Sequence, residues 1–195
     1  MNKLTIHGRE YSRTQLKNNI LKVYKISGAG KGWYIESNEL AVHLSSGNSL
    51  SIAQCAGIIA ALSPQKSWPT NKMLAYDFIE FGKRSGHMPV MIDKAEQITR
   101  TKDIQEIAGI LNGPKITNFF YNILNPVGPE HVTIDRHALG VAICGTKRRR
   151  IDLIMTDKQY KTIASAYKWT AEQLGILPLE LQAMTWITYR QLTVN

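Results

Sequence analysis

Residues 111–137 constrain the fold most, because they predict two helix starts separated by one helix and one loop. A helix is expected to end at Asn112, a tight Gly-Pro turn reverses the chain, and a second helix opens at Lys115. Glycine gives the backbone freedom at such a reversal, and proline suits the first turn of a helix because its missing N–H has no partner there. A loop broken by two prolines follows, and Asp135 begins the next helix. Lys115 and Asp135 are therefore predicted to lie at two helix starts.

Helical periodicity recurs along the rest of the chain, whereas no stretch alternates convincingly with the period of two that a half-buried strand requires. Residues 12–15 have the pattern of a capping box, and residues 51–62 form an apolar run rich in small side chains. Residues 4–6 and 90–92 allow only short extended segments. Further helices are predicted over residues 33–44, 71–81, 160–174 and 178–192, with additional starts at Asp93 and Asp103. The chain is therefore predicted to be all-α.

The charge balance favours a polyanionic partner. The chain has 24 Lys and Arg against 15 Asp and Glu, a net charge of +9. A surface that is merely basic gives the same count. A steep loss of DNA affinity with salt would separate the two, because phosphate contacts release counterions. Hydrophobic residues make up 44% of the chain, which excludes a disordered protein.

No segment predicts a membrane or a metal partner. No apolar run approaches membrane-spanning length, and the first ten residues lack the layout of a signal peptide, so we expect a cytoplasmic protein. Cys55 and Cys144 lie in apolar stretches and are expected to be buried small hydrophobes rather than a disulfide or a nucleophile. The histidines make no ligand spacing with cysteines or carboxylates, so no metal site is predicted.

Three patches of sequence, in one order along the chain, form a more specific pattern. They are Leu62-Ser63-Pro64-Gln65 followed by Asn71-Lys72; Leu111, Gly113, Lys115 and Asn118 followed by Ile134, Asp135 and His137; and Trp186-Ile187-Thr188-Tyr189-Arg190. In these patches the chain resembles the helix-hairpin-helix (HhH-GPD) superfamily of DNA glycosylases, in the branch similar to endonuclease III. Many proteins of that branch carry an iron–sulfur cluster with four cysteine ligands, which two cysteines cannot build. No cofactor is therefore expected.

The resemblance implies a two-lobed helical fold. Residues 46–134 would form a helical barrel that contains the hairpin, and residues 1–45 and 135–195 would pack together as a second lobe. The cleft between the lobes would hold Lys115 and Asp135. We expect a monomer that acts on double-stranded DNA, in the cytoplasm of a host cell if a phage encodes it.

The resemblance also implies roles for these two residues. Cleavage of an N-glycosidic bond builds positive charge on the deoxyribose, and the Asp135 carboxylate would stabilise it and act as general base. The alternative is that Asp135 serves only as a helix N-cap. Lys115 would be the nucleophile that forms a Schiff base with the sugar and permits strand cleavage by elimination. The alternative is a solvated or phosphate-contacting lysine.

A base-flipping enzyme must also fill the gap that the extruded base leaves. Gln65 is the predicted wedge, and the neighbouring Lys66 and Trp68 would contact a phosphate and stack on the opposite base. The alternative for Trp68 is packing inside an interhelical turn. Trp186 is expected in the core, because it lies in the apolar run of the last helix.

Further DNA contacts are carried over from the resemblance or from charge. The first group is Asn71, Gly113, Asn118, Arg136 and His137. The second is the basic run Lys147, Arg148, Arg149 and Arg150, which is either a phosphate clamp or a solvated loop.

Three functions are compatible with this pattern. The first is a DNA glycosylase, with or without lyase activity. The second is a phage-type enzyme of the same superfamily that acts on hypermodified thymine and leaves the glycosidic bond intact. The third is a DNA-binding module without catalysis. The hairpin is two residues shorter than that of the family, which favours the last two, whereas the pairing of Lys115 with Asp135 favours the first.

Overall fold

The described part of the protein is mostly helical, as predicted. The computed structural model describes residues 3–6, 8–147 and 155–194, with side chains to residue 192. Within these residues the helices are α1 Arg13–Tyr24, α2 Trp33–Ser46, α3 Ile52–Ala61, α4 Trp68–Phe81, α5 Pro89–Ile98, α6 Ile104–Leu111, α7 Pro114–Leu124, α8 Arg136–Cys144, α9 Asp157–Leu174 and α10 Pro178–Val194. None of the described helices is long and apolar enough to cross a membrane.

One small two-stranded sheet accompanies the helices. Strands β1 Leu4–Ile6 and β2 Arg9–Tyr11 pair antiparallel, with Leu4 opposite Tyr11 and Ile6 opposite Arg9. The predicted extended segment at residues 4–6 is confirmed, and it is stable because Leu4 and Ile6 are buried against the helices.

The second predicted extended segment is wrong. Residues 90–92 lie in α5, whose first turn contains a proline and whose buried face is Ile92, Ala95 and Ile98. This spacing of three residues is that of one helix face. The predicted helix start at Asp93 is wrong, because α5 begins four residues earlier, at Pro89. Asp103 caps α6 as predicted.

The chain divides into two compact units. The first consists of Met1–Tyr34 and Val127–Asn195, and the second is Ile35–Pro126. The sequence prediction placed these divisions later in the chain, between residues 45 and 46 and between 134 and 135.

The second unit is built around α3. Ser51 forms a capping box with Gln54, and every residue of α3 from Gln54 to Ala61 is buried. The helix packs against α4, α5, α6 and α7. Gly57 permits this close approach, because a Cβ atom there would lie 2.8 Å from the side chain of Ile107 on α6.

The first unit has a core of α1, α8, α9 and α10. The predicted capping box at Ser12 is present, and the predicted stripe on α9 is buried. Two buried tyrosines of that stripe hydrogen-bond to the backbone around the start of α8. Tyr160 Oη donates to the carbonyl of Val132 at 2.9 Å and accepts from the N–H of Ile134 at 3.0 Å. Tyr167 Oη donates to the carbonyl of Ala138 at 3.0 Å. The backbone on both sides of Asp135 is therefore fixed by α9.

Candidate active site

The Asp135 carboxylate is held by three N–H donors. Its Oδ1 atom accepts hydrogen bonds from the backbone N–H groups of His137 at 2.9 Å and Ala138 at 2.8 Å, so the predicted N-cap of α8 is confirmed. Its Oδ2 atom accepts a hydrogen bond from the indole Nε1 of Trp186 at 2.8 Å. The residue is half-buried. Since each carboxylate oxygen can accept about two hydrogen bonds, Oδ2 has the capacity to accept one more from a ligand.

Two further aromatic rings lie beside the indole that binds this carboxylate, and we call Trp33, His137 and Trp186 the aromatic wall. The rings of Trp33 and Trp186 have centroids 6.1 Å apart, and His137 meets Trp186 edge to face at 6.0 Å. The guanidinium of Arg190 lies over the Trp186 ring, 4.6 Å from its centroid. Such a wall can stack against a flat ligand ring. The prediction of Trp186 as a core residue is therefore wrong in part, because the indole is half-buried and its N–H is bonded to Asp135.

Two glycines allow backbone segments to approach α10, which carries Trp186. A Cβ atom at Gly140 on α8 would lie 2.6 Å from the Tyr189 ring. A Cβ atom at Gly30, where φ is +95°, would lie 2.7 Å from the side chain of Ile187. These contacts bring α8 and the segment that precedes Trp33 against α10. The positions of Asp135 and Trp33 beside Trp186 depend on them.

The chain matches one family across residues 3–193, which is nearly its whole length. It belongs to DUF7178, a family of unknown function. No curated protein and no solved structure matches the chain.

In this DUF7178 protein the predicted nucleophile Lys115 is the second residue of α7, in the second unit, whereas Asp135 belongs to the first unit. Helix α7 begins at Pro114, one residue earlier than predicted. The turn before it has positive φ at Asn112 (49°) and Gly113 (107°), and Gly113 is exposed with nothing within 4 Å of a Cβ position. Asn118 donates from Nδ2 to the carbonyl of Pro114 at 2.6 Å, so its amide supports the first turn of the hairpin helix.

A second lysine lies at this hairpin and escaped sequence analysis. Lys94 on α5 donates from Nζ to the carbonyl of Leu111, the last residue of α6. Burial lowers the pKa of its ammonium group. No sequence pattern indicates this contact, because Lys94 is one of many charged residues on a helix and its partner is a backbone atom.

The predicted wedge, Gln65, is exposed and has a φ of +60°. Few residues other than glycine adopt this backbone region, and such strain clusters at functional sites. The next residue fixes the loop, since Lys66 donates from Nζ to the carbonyl of Gly86 at 2.9 Å. Trp68 begins α4 and is half-buried, and the ammonium of Lys72 lies 5.9 Å from its ring centroid.

The predicted DNA contact at Asn71 is wrong. Only 2% of this residue is exposed, and its Nδ2 donates to the carbonyl of Ile59 at 3.0 Å. Helix α4 begins three residues before the predicted start, capped by Ser67, and it buries the face that contains Asn71, Leu74 and Phe78. Asn71 therefore lies on the face that packs against α3 and joins the two helices.

Three of the remaining predicted DNA-binding residues lie in α8 or in the turn after it. Arg136 is exposed, and its Nε donates to Nε2 of His137 at 3.3 Å. The backbone N–H of His137 donates to Oδ1 of Asp135. Lys147 is exposed, and its carbonyl accepts from Tyr189 Oη at 3.4 Å. The predicted contacts at Arg148, Arg149 and Arg150 lie outside the described residues.

Sequence analysis also missed Trp33 and Arg190 as parts of a site. Both lie near or inside predicted helices, and nothing in their spacing relates them to Asp135. The described residues contain no group of three His, Cys, Asp or Glu side chains that could hold a metal ion. The chemistry available around Asp135 is thus that of a carboxylate, aromatic rings and cationic side chains.

Proposed function

We propose that this protein is a DNA glycosylase with the two-lobed helix-hairpin-helix fold, which extrudes a damaged or modified base from duplex DNA and cleaves its N-glycosidic bond. The observation that carries the proposal is the Asp135 carboxylate, which has three fixed N–H donors and lies against the aromatic wall. A carboxylate that cannot reorient stabilises developing charge without the cost of reorganisation at the moment of reaction.

In the proposed reaction the bond between C1′ of the deoxyribose and the base nitrogen breaks, and its electron pair leaves with the base. The positive charge that develops on the sugar lies beside the Asp135 carboxylate. Water then adds at C1′, and its proton passes to Asp135, which acts as general base. The aromatic wall supports this role, since the flat face of an extruded base can stack on indole rings.

Lys115 is proposed as an alternative attacking group. Its amine would add at C1′ in place of water, and the resulting Schiff base would permit elimination of the 3′ phosphate. Borohydride should then trap a covalent protein–DNA adduct. Lys94→Ala is the matched control, because it removes the other lysine at the hairpin. Trapping that persists in Lys115→Ala would refute this assignment.

Gln65 is proposed as the wedge that fills the gap in the duplex. Its exposure and strained backbone support the proposal. Gln65→Ala should weaken cleavage of a duplex while it spares cleavage of a single strand. Equal losses on both substrates would contradict the wedge.

The decisive experiment compares the wild type with Asp135→Asn on duplexes that carry uracil, oxidised pyrimidines, hydroxymethyl pyrimidines, mismatches and abasic sites. Asp103→Asn is the control, since it alters the N-cap of α6 in the same way. Base release by the wild type and the control, lost in Asp135→Asn, supports the proposal. Strand breaks without alkali add the lyase step.

Other results would refute the glycosylase. A change in base mass without release would identify an enzyme that modifies thymine. Salt-dependent binding to every duplex, with all bases intact, would identify a DNA-binding module.

A further inference from the structure

A groove of about 510 Å³ lies in the first unit, and its lining does not include Asp135 or the aromatic wall. Strand β2 contributes Arg9 and Tyr11 to its lining, and α1 contributes Gln15 and Lys22. The end of α8 and the turn after it contribute Cys144 and Lys147. Its volume is within the range of about 300–1,000 Å³ found for small-molecule sites.

The groove has an excess of positive charge. Arg9, Lys22 and Lys147 line it and are exposed. Among the described residues of the lining, the one acidic side chain is Glu10, which pairs with Lys3 at 2.7 Å. Three cationic side chains could therefore bind an anionic ligand, and the one carboxylate beside them is already paired.

The end of α8 could oppose an anion, because the last carbonyl groups of a helix carry partial negative charge. Two of these carbonyls accept hydrogen bonds. The carbonyl of Ala142 accepts from Asn19 Nδ2 at 3.0 Å, and the carbonyl of Cys144 accepts from the N–H of Lys147 at 3.1 Å. Their hydrogen bonds reduce the opposing charge, so the cations dominate the groove.

The groove also has an apolar side. Ile143 is 9% exposed and Cys144 is half-buried. Burial raises the pKa of the Tyr11 hydroxyl, and the neighbouring Cys144 adds to this effect. Tyr11 and Cys144 both pack against the core of the first unit and line the groove beside the cations. An apolar surface next to positive charge suits a ligand with a flat ring and phosphate groups.

We propose that this groove binds a nucleotide through its phosphate groups, with the sugar or base against Tyr11 and Ile143. The nucleotide is either free or part of a DNA strand. The proposal does not depend on catalysis by Asp135, since the groove lies at the opposite end of α8. Nine residues at about 1.5 Å each place the two ends roughly 13 Å apart.

Cys144 offers a probe inside the groove. Cys55 is fully buried, and burial raises its pKa to about 11, so a thiol reagent should alkylate Cys144 far faster in the folded protein. The alkylation rate of Cys144 is measured by peptide mass spectrometry without ligand, with ADP, and with a short single-stranded oligonucleotide. Protection by ADP alone indicates a free nucleotide, and protection by the oligonucleotide indicates a strand. Protection by neither overturns the proposal.

Charge variants test whether protection arises in the groove. The double variant Arg9→Gln/Lys147→Gln should lower the affinity for the protecting ligand by roughly tenfold or more. Each charge-assisted contact contributes strongly to affinity. Lys158→Gln/Lys161→Gln is the control, as it removes two cations that line a separate surface of the same unit. Each variant is compared with its own rate without ligand, since burial raises the pKa of Cys144 and the charge of Arg9 opposes this effect. Equal weakening in both double variants, or none in the first, would overturn the proposal. Asp135→Asn should keep the protection, which separates this result from the test of the glycosylase.

Discussion

Replacement of Asp135 by asparagine should destabilise the protein by about 1–3 kcal/mol more than the same replacement at Asp103. Both aspartates cap a helix through Oδ1. Asp103 accepts from two backbone N–H groups at 2.8 Å each, and Asp135 from two at 2.9 and 2.8 Å. Asparagine caps nearly as well as aspartate, so this part of the loss should be small and equal at the two sites.

The difference in stability between the two variants comes from the indole of Trp186, which donates a hydrogen bond to Oδ2 of Asp135 and has no counterpart in the cap at Asp103. In Asp135→Asn the amide that keeps the cap points its NH₂ group at the indole N–H, and two donors then face each other. If the amide flips to accept from the indole, both backbone bonds of the cap are lost. A hydrogen bond to a charged group contributes about 1.5–3 kcal/mol. For a chain of this size each kcal/mol lowers the melting temperature by about 2–4 °C.

Urea and thermal unfolding, followed by circular dichroism, measure both single variants. The two aspartates lie in different units, so a second comparison stays within one. In a Trp186→Phe background the donor is absent, and Asp135→Asn should then cost no more than Asp103→Asn does. Equal losses for Asp135→Asn and Asp103→Asn in the wild-type background would refute the contribution of the indole.

Three further predictions concern packing, strain and pH. Gly140→Ala should lower the free energy of unfolding by about 1–3 kcal/mol, because its Cβ meets Tyr189, whereas Gly109→Ala, with open space, should raise it by about 0.5–1 kcal/mol; urea unfolding of both checks the opposite signs. Gln65→Gly should stabilise the protein by about 1 kcal/mol by relieving positive φ, and a loss of stability in thermal unfolding would contradict the strain. Burial, and then a nearby lysine charge, lower the pKa of His87 below its ordinary 6.5, so its contribution to stability is present above pH 6.5 and is lost as the pH falls through the lower folded-state pKa. His87→Gln should therefore lose less stability than wild type between about pH 7.5 and 5.5 in urea unfolding, and equal losses would contradict the lowered pKa.

The elements that sequence predicted well are those whose signals are local. Ser12 and Asp103 cap helices through side-chain bonds to backbone groups within the next three residues. Helix α3 is recognisable from its own run of apolar residues. The errors arose where a weaker signal competed. Pro89 starts α5 four residues before the predicted start at Asp93, and Ser67 caps α4 ahead of the predicted start at Asn71.

The candidate site was less predictable, because its key contacts join distant parts of the chain. Asp135 was predicted as both a cap and a site residue, and its cap is local. Its bond to Trp186 spans 51 residues and depends on the close approach that Gly140 allows. No periodicity within α10 distinguishes an indole that meets a carboxylate from one that fills the core. The same holds for the contact of Lys94 with a backbone carbonyl.

A carboxylate that caps a helix can still stabilise a cation, although the helix opposes it. The N-terminus of α8 carries roughly half a positive charge, which would repel a sugar cation beside Asp135. With an effective dielectric constant of about 20, a full negative charge about 4 Å from the sugar contributes about 4 kcal/mol of attraction. Half a positive charge about 6 Å away contributes about 1.4 kcal/mol of repulsion. In the proposed reaction the carboxylate would therefore prevail by about 3 kcal/mol, or roughly a hundredfold in rate. The helix therefore holds the Asp135 carboxylate in place at an electrostatic cost that is smaller than the stabilisation it leaves.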